Sequence, residues 1–133
     1  MAVAECIEAP RRIVRRTVAA GTAIPKGTLM KFSGTPNTAA AATAQNDEFA
    51  GITVEEKVST ETDVLEVGCA IDGVWKIDTT AAGINKGVPV QIATGSNVVI
   101  VSADADFEQG SIVGIAEETR DGDNRIRVRL MGH

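Results

Sequence analysis

The sequence predicts an all-β fold, a compact small barrel or sandwich made of two pseudo-repeats and preceded by an extended N-terminal arm. One strand-and-turn motif occurs twice, at an offset of about 60 residues. Aromatic residues make up only 3% of the chain, so the core must rest on Val, Ile, Leu and Ala. Cores rich in β-branched residues favour sheets.

The repeated motif is a tight turn followed by a strand. Residues 19–32 read AAGTAIPKGTLMKF and residues 81–92 read AAGINKGVPVQI, with two extra residues in the first copy. Gly27 and Gly87 supply the left-handed position that such a turn requires. An alternating strand then leaves each turn.

Each copy continues into a second matching element. The sequence FAGI at residues 49–52 corresponds to IVGI at residues 112–115, and a pair of glutamates follows each of them. Alternation along a strand would point the two members of each pair to opposite faces. This geometry excludes a paired-carboxylate mechanism for residues 55–56 and 117–118.

These elements define the expected domain organisation. At 133 residues the chain has room for one ordinary domain. We expect residues 1–17 to form the arm and residues 18–133 to form a single β domain, with pseudo-repeats at about 18–67 and 79–130. Residues 38–44 are rich in alanine, but their counterpart in the second copy, VVIV, is strand-like, so the repeat predicts a strand.

A period-two pattern marks the segment between the copies. The apolar side of this segment is formed by the odd-numbered residues Val67, Cys69, Ile71, Trp75 and Ile77. Asp72-Gly73 lies among them, and Asp-Gly flanked by alternating strands predicts a two-residue hairpin turn. We expect Trp75 in the core, and a binding role for this residue is the alternative.

A second hairpin is predicted near the end of the chain, with strands at 112–118 and 125–130 and a turn at 121–124. Its returning strand turns three apolar residues inward, Ile126, Val128 and Leu130. Its outer face carries three arginines, Arg125, Arg127 and Arg129. This arginine stripe is either a solvated face, which is the usual case, or a subunit contact.

Residues suited to catalysis or metal binding are scarce. The sole histidine is His133, at the last position, where packing cannot hold it. This excludes histidine triads and most zinc sites. The acidic segments 104–108 and 121–124 do not complete a calcium loop and are interpreted as hydrophilic turns. No phosphate-binding glycine motif is present. We therefore expect no catalytic residue, no metal and no cofactor.

The two cysteines and the apolar runs indicate the compartment. Cys6 and Cys69 match no metal or redox spacing, so we expect unpaired thiols. No apolar run approaches the ~20 residues that cross a bilayer, and no signal-peptide pattern opens the chain. The sequence predicts a soluble protein made without Sec-type export.

Charge is distributed unevenly along the chain. Residues 1–31 contain six basic and two acidic residues, whereas the remainder contains seven basic and sixteen acidic ones. This balance argues against nucleic-acid binding and favours docking of the arm to an acidic protein surface. The candidate partner-binding residues are Arg11, Arg12, Ile13, Val14, Arg15 and Arg16. The arm either adds a strand to a neighbour's sheet edge or forms an ordinary first edge strand with its arginines in water.

On these motifs the chain resembles the small capsid decoration, or cement, proteins of tailed bacteriophages. The similar segments are residues 18–21, 24–27, 49–52, 82–90, 114–116 and 125–130. The resemblance implies a β-clip or β-tulip domain that forms a homotrimer on the outer capsid surface of the virion after synthesis in the host cytoplasm. It also implies that the protein binds the major capsid protein and stabilises the shell without catalysis. Nucleic-acid, membrane and small-molecule partners are not expected.

The main alternative is an antifreeze-like β-clip module, which residues 14–32 also resemble. Such a module would bind a small ligand or a glycan. It is normally fused to a larger catalytic or transport domain, so a chain of 133 residues favours the shell protein. An enzyme that uses carboxylates alone is a third hypothesis.

Overall fold

A computed structural model describes most of the chain and confirms the all-β class. The described residues are 3–34, 37–44, 47–58, 65–79, 84–95, 98–101, 112–118 and 125–130. They contain no helix and form eleven strands. The strands are β1 (Glu5–Glu8), β2 (Ile13–Thr17), β3 (Leu29–Phe32), β4 (Ala39–Ala41), β5 (Phe49–Thr53), β6 (Glu66–Ala70), β7 (Val74–Thr79), β8 (Pro89–Ile92), β9 (Val98–Val101), β10 (Ile112–Ala116) and β11 (Arg125–Leu130).

The strands form two sheets, one of which closes into a small barrel. The first sheet has the order β2-β6-β5-β3-β4. The second has the order β1-β7-β11-β10-β8-β9, and β9 returns to pair with β7 in parallel, which closes the barrel. The first sheet has a single parallel bridge in the corresponding place, between Thr17 and Thr38. The predicted compact barrel is therefore present.

The two sheets repeat one five-stranded unit. If β1 is left out, the strand order of the second sheet is the same as that of the first sheet, with every strand number higher by five. We call the unit from β2 to β6 unit one and the unit from β7 to β11 unit two. Each unit starts with a strand, β2 or β7, that lies outside the repeat seen in the sequence. The structural repeat therefore extends over residues 13–70 and 74–130.

The predicted glycine turns occupy equivalent positions in the two units. Gly27 has φ +86° and Gly87 has φ +89°. Both donate a backbone hydrogen bond of 2.8 Å to the adjacent strand, Gly27 to the Thr53 carbonyl and Gly87 to the Ala116 carbonyl. A residue with a side chain is strained at such a φ, so glycine is required to start both strands in the same way.

Two apolar clusters hold the sheets together. The larger includes Trp75, Phe49, Ile77, Ile126 and Val128 and draws on strands of both units. The smaller lies within unit one and comprises Val18, Ile24, Met30, Ala39, Ala50, Val67 and Cys69, with Phe32 packed against it. The expected inward positions of Val67, Cys69, Ile71, Trp75 and Ile77 are confirmed, since each is 2% exposed or less. Ile126, Val128 and Leu130 also face the interior, as predicted.

The N-terminal segment is extended, and both of its strands are paired within the chain. β1 pairs antiparallel with β7, and β2 pairs antiparallel with β6. Of the two alternatives for the arm, the edge-strand arrangement is the one observed. The first 17 residues therefore contribute one strand to each sheet.

One turn prediction is wrong. Asp72-Gly73 joins β6 to β7, but these strands belong to different sheets and do not pair with each other. The chain crosses here from unit one to unit two, and Gly73 has φ +93°. An alternating pattern on both sides of Asp-Gly indicates two strands and a sharp turn, but it does not determine which strands pair.

The other expectations have mixed outcomes. The alanine-rich segment forms β4, as the repeat predicts, and Cys6 and Cys69 are free thiols. The glutamate pairs follow β5 and β10 and lie outside the strands. The last two strands form the predicted antiparallel pair. Their connecting turn, the acidic segments 104–108 and 121–124, and His133 lie outside the described residues.

The closed barrel predicts a strong steric effect at Gly114. A Cβ atom at this position would overlap the carbonyl oxygen of Arg129 on the neighbouring strand β11. We expect Gly114→Ala to lower the free energy of unfolding by about 2 kcal/mol. The matched control is Gly34→Ala, because a Cβ there meets nothing within 4 Å. Urea denaturation measures both variants, and equal stabilities would contradict the β10–β11 packing.

Candidate partner-binding surface

The loop between β1 and β2 is held by one carboxylate. The backbone N–H groups of Arg11 and Arg12 both donate to Asp72 Oδ1, at 2.8 and 3.0 Å. The Ile71 N–H donates to the Arg12 carbonyl at 3.2 Å. An exposed loop with three such bonds is fixed in conformation, and its side chains are presented in a defined arrangement.

The side chains on this loop are directed to solvent. Arg11 and Arg12 are exposed, and neither side chain has an ion pair or hydrogen bond within the described part of the chain. Ile13 is 54% exposed, and its Cγ2 lies over Gly68 on β6. We call these three residues, Arg11, Arg12 and Ile13, the loop patch. It combines two cations that lack partners with one exposed apolar side chain.

The next two predicted residues are partly engaged within unit one. Val14 is half-buried opposite Cys69. Arg15 forms ion pairs with Glu55 at 3.2 Å and Glu66 at 3.5 Å, and its side chain is 57% exposed. Exposed pairs of this kind contribute little to stability. They neutralise Arg15 locally and leave the loop patch as the more available positive surface.

Arg16 has a structural role. Its guanidinium lies 4.7 Å from the centre of the Phe32 ring, within cation–π distance. It also donates to the Ala50 carbonyl at 3.3 Å and to Asn37 Oδ1 at 3.0 Å. Arg16 pairs with Val67 on β6, and the buried Ile77 pairs with Ile126 at the equivalent place on β11. Arg16 therefore has the position in unit one that Ile77 has in unit two. Arg16 therefore covers the apolar cluster of unit one and is not free for a partner.

Strand β1 lies beside the loop patch and is fully exposed. All four of its residues, including Cys6 and Ile7, are accessible to solvent. Ala4, just before the strand, is buried and joins the larger apolar cluster. β1 is therefore anchored at one end by packing and along its length by backbone pairing and charge.

The charged contacts to β1 come from the arginine stripe. Arg125 donates to the Val3 carbonyl at 2.8 Å and lies 3.6 Å from the Glu5 carboxylate. The same guanidinium pairs with Asp78 at 2.9 Å. Arg125 thus joins β11, β7 and β1, and its position in the sequence does not reveal these partners.

Arg129 makes the second charged contact. It donates to Glu117 at 2.6 Å and to Glu8 at 3.4 Å. The hydrogen bond and charge of Glu117 raise the pKa of Arg129 above its usual value. Two arginines of the stripe, Arg125 and Arg129, therefore bind the protein's own N-terminal strand. The sequence alone predicts either a solvated face or a subunit contact for the stripe.

The surface has shallow cavities. One of about 350 Å³ is lined by polar groups of Glu8, Arg11, Asp72 and Arg129 at the base of the loop patch. The described residues contain no group of three His, Cys, Asp or Glu side chains that could hold a metal ion. Within the same residues no helix is long and apolar enough to span a membrane.

Comparison with known proteins gives no family assignment: no protein-family model matches the chain, and no curated protein matches it.

The contacts of Arg125 predict how β1 is held. Arg125→Met removes the ion pairs and the hydrogen bond to Val3, so we expect amide hydrogen exchange in residues 3–8 to become about tenfold faster or more. The matched control is Arg127→Met, because Arg127 Nε has no hydrogen-bond partner. Exchange followed by mass spectrometry measures both variants. Unchanged protection of β1 in Arg125→Met would refute the anchoring role.

Burial predicts contrasting behaviour for the two thiols. Cys6 is exposed, whereas burial raises the pKa of Cys69 from 9.0 to about 11. We expect a thiol reagent at pH 8 to modify Cys6 in the native protein and Cys69 only after unfolding. Modification of both thiols at the same rate would contradict the burial of Cys69.

The raised pKa of Cys69 also predicts a loss of stability in alkali. The unfolded thiol ionises near pH 9 and the folded one near pH 11, so the unfolded state releases its proton first. Between pH 9 and pH 11 the contribution of the Cys69 thiol to the free energy of unfolding falls by about 1.4 kcal/mol per pH unit. Cys69→Ala should lack this contribution and Cys6→Ala should retain it, which denaturation at a series of pH values measures.

Proposed function

We propose that the protein is a capsid decoration protein that binds the outer surface of a tailed-phage shell and stabilises it by bridging major capsid protein subunits. It acts by adhesion and without catalysis. The observation that carries the proposal is the loop patch. Its backbone is fixed by Asp72, and its two arginine side chains lack partners within the described residues.

A patch of this kind suits an acidic surface with an apolar recess. Ile13 offers an exposed apolar group beside the two cations. The fixed backbone lowers the conformational entropy that is lost when the patch docks. Opposite charge across the contact speeds association and selects the partner. An acidic face on the shell protein is the partner that these features favour.

The repeated scaffold supports a structural role. Both units repeat the strand order and the glycine turns, and these features build a scaffold that presents surfaces. We further propose that the copies act as a homotrimer on the virion. Three linked patches then bind with a high effective concentration, so the individual contacts can be weak.

The proposal predicts that shell binding depends on Arg12. We expect Arg12→Glu to weaken binding to expanded shells by about tenfold, since it reverses a charge that faces the acidic partner. Where a major capsid gene neighbours the gene of this chain, shells assembled from that capsid protein are the binding partner, and binding is measured by co-sedimentation. The matched control is Lys26→Glu, an equal charge reversal at another exposed turn.

The proposal is contradicted if wild-type protein fails to co-sediment with shells, or if Arg12→Glu binds as well as the wild type. Equal losses in Arg12→Glu and Lys26→Glu would indicate a general charge effect and remove the role of the patch. A neighbourhood of sugar-acid enzyme genes without a capsid gene would favour the ligand-binding alternative.

A further inference from the structure

The turn at Gly27 in unit one is covered by the N-terminal segment. The Ala4 N–H donates to the Gly27 carbonyl at 2.9 Å. A Cβ atom added to Gly27 would lie 2.5 Å from the Ala4 carbonyl oxygen and 3.2 Å from Val3 Cβ. An extended peptide therefore packs directly on the glycine, and Gly27 is buried beneath it.

The equivalent turn in unit two is not covered by any residue that the structure describes. Gly87 has nearly the same φ as Gly27 and the same hydrogen bond to its neighbouring strand. However, a Cβ atom added there would meet nothing within 4 Å, and Gly87 is exposed. No backbone donor within the described residues bonds to the Gly87 carbonyl. The duplication has thus produced two turn surfaces, of which one is occupied.

The uncovered turn forms one side of a groove of about 460 Å³. Lys86, Glu118 and Arg127 line the groove beside Gly87. Two side-chain atoms of these residues are buried without a hydrogen-bond partner, namely Glu118 Oε1 and Arg127 Nε. The first is an acceptor and the second is a donor. Both atoms are covered by protein, so they are not contact points for a ligand.

The chemistry of the groove favours a peptide over an anion. A peptide backbone offers a donor and an acceptor in every residue, and its N–H can make at the exposed Gly87 turn the bond that the Ala4 N–H makes to the Gly27 carbonyl. A phosphate is an anion and would lie beside the carboxylates of Glu117 and Glu118, which also line the groove. At Gly27 the residue that makes this approach is alanine, and its side chain is buried.

We propose that this groove, lined by Lys86, Gly87, Glu118 and Arg127, binds an extended peptide segment of a partner protein, with a small residue over Gly87. The peptide N–H donates to the Gly87 carbonyl as the Ala4 N–H does to that of Gly27. The N-terminal segment of a copy of this chain is not the occupant, because that segment is already bound at its own Gly27 and continues into β1. The inference does not depend on binding to a capsid.

The segment that fits Gly27 supplies the probe. A synthetic peptide with the sequence of residues 2–8, carrying Ser in place of Cys6, is titrated into ¹⁵N-labelled full-length protein. We expect saturable chemical-shift changes at the amides of Lys86, Gly87 and Val88, with a Kd in the range of about 0.1–1 mM. Shifts confined to Gly27 and Thr28 would mean that the peptide only displaces the chain's own segment, and would overturn the proposal.

Two changes test the fit over Gly87. Replacing the alanine equivalent to Ala4 by leucine in the peptide should weaken binding at least tenfold, because the larger side chain prevents close approach. Gly87→Asn should have a similar effect, since asparagine tolerates positive φ and its side chain would enter the groove. Gly34→Asn is the control, and the thermal midpoint of each variant verifies folding.

The outcomes decide the proposal without reference to shell binding. Saturable shifts at Gly87 that are lost with the leucine peptide support it, even if the protein binds no capsid. Absence of saturable shifts at Gly87 up to about 5 mM peptide would overturn it. Equal binding of the alanine and leucine peptides would also overturn it, and this result requires no variant to fold.

Discussion

The arrangement of the two units depends on the contacts of Asp72. The chain crosses between the sheets at β1–β2 and again at β6–β7. Asp72 lies in the second crossing, and its carboxylate accepts both backbone N–H groups of the first, from Arg11 and Arg12. Its carbonyl accepts the indole N–H of Trp75 at 3.2 Å. One residue therefore joins the two crossings to the largest side chain of the shared core.

This junction explains why the N-terminal segment is part of both sheets and is also exposed to solvent. β1 and β2 complete opposite sheets, so the segment between them must cross at the surface. Asp72 accepts hydrogen bonds from the backbone of this crossing. Arg125 and Arg129 form ion pairs with the β1 carboxylates of Glu5 and Glu8. Arg11, Arg12 and Ile13 then face solvent on a loop whose backbone is bonded to Asp72. The proposed adhesive surface follows from the way in which the two units are joined.

Local patterns in the sequence predict much of the fold, because turns and strand faces are local properties. The repeated Lys-Gly turn predicted both glycines with positive φ, and alternation predicted the buried side of Val67 through Ile77. Strand pairing is a long-range property, and the Asp72-Gly73 hairpin was wrong for that reason. The partners of Arg125 and Arg129 also depend on where β1 lies. The repeated motif does not reveal that Gly27 is covered and Gly87 is exposed, because the segment that covers Gly27 precedes the repeat.

The measurement that tests this account most directly is amide hydrogen exchange at Arg11 and Arg12 by NMR. Both residues lie on an exposed loop, where exchange is normally fast. If Asp72 joins the two crossings, both amides exchange at least about tenfold more slowly than an unstructured peptide, and Asp72→Ala abolishes this protection. Exchange at the unprotected rate in the wild-type protein would contradict the role of Asp72 and the fixed loop on which the proposed function depends.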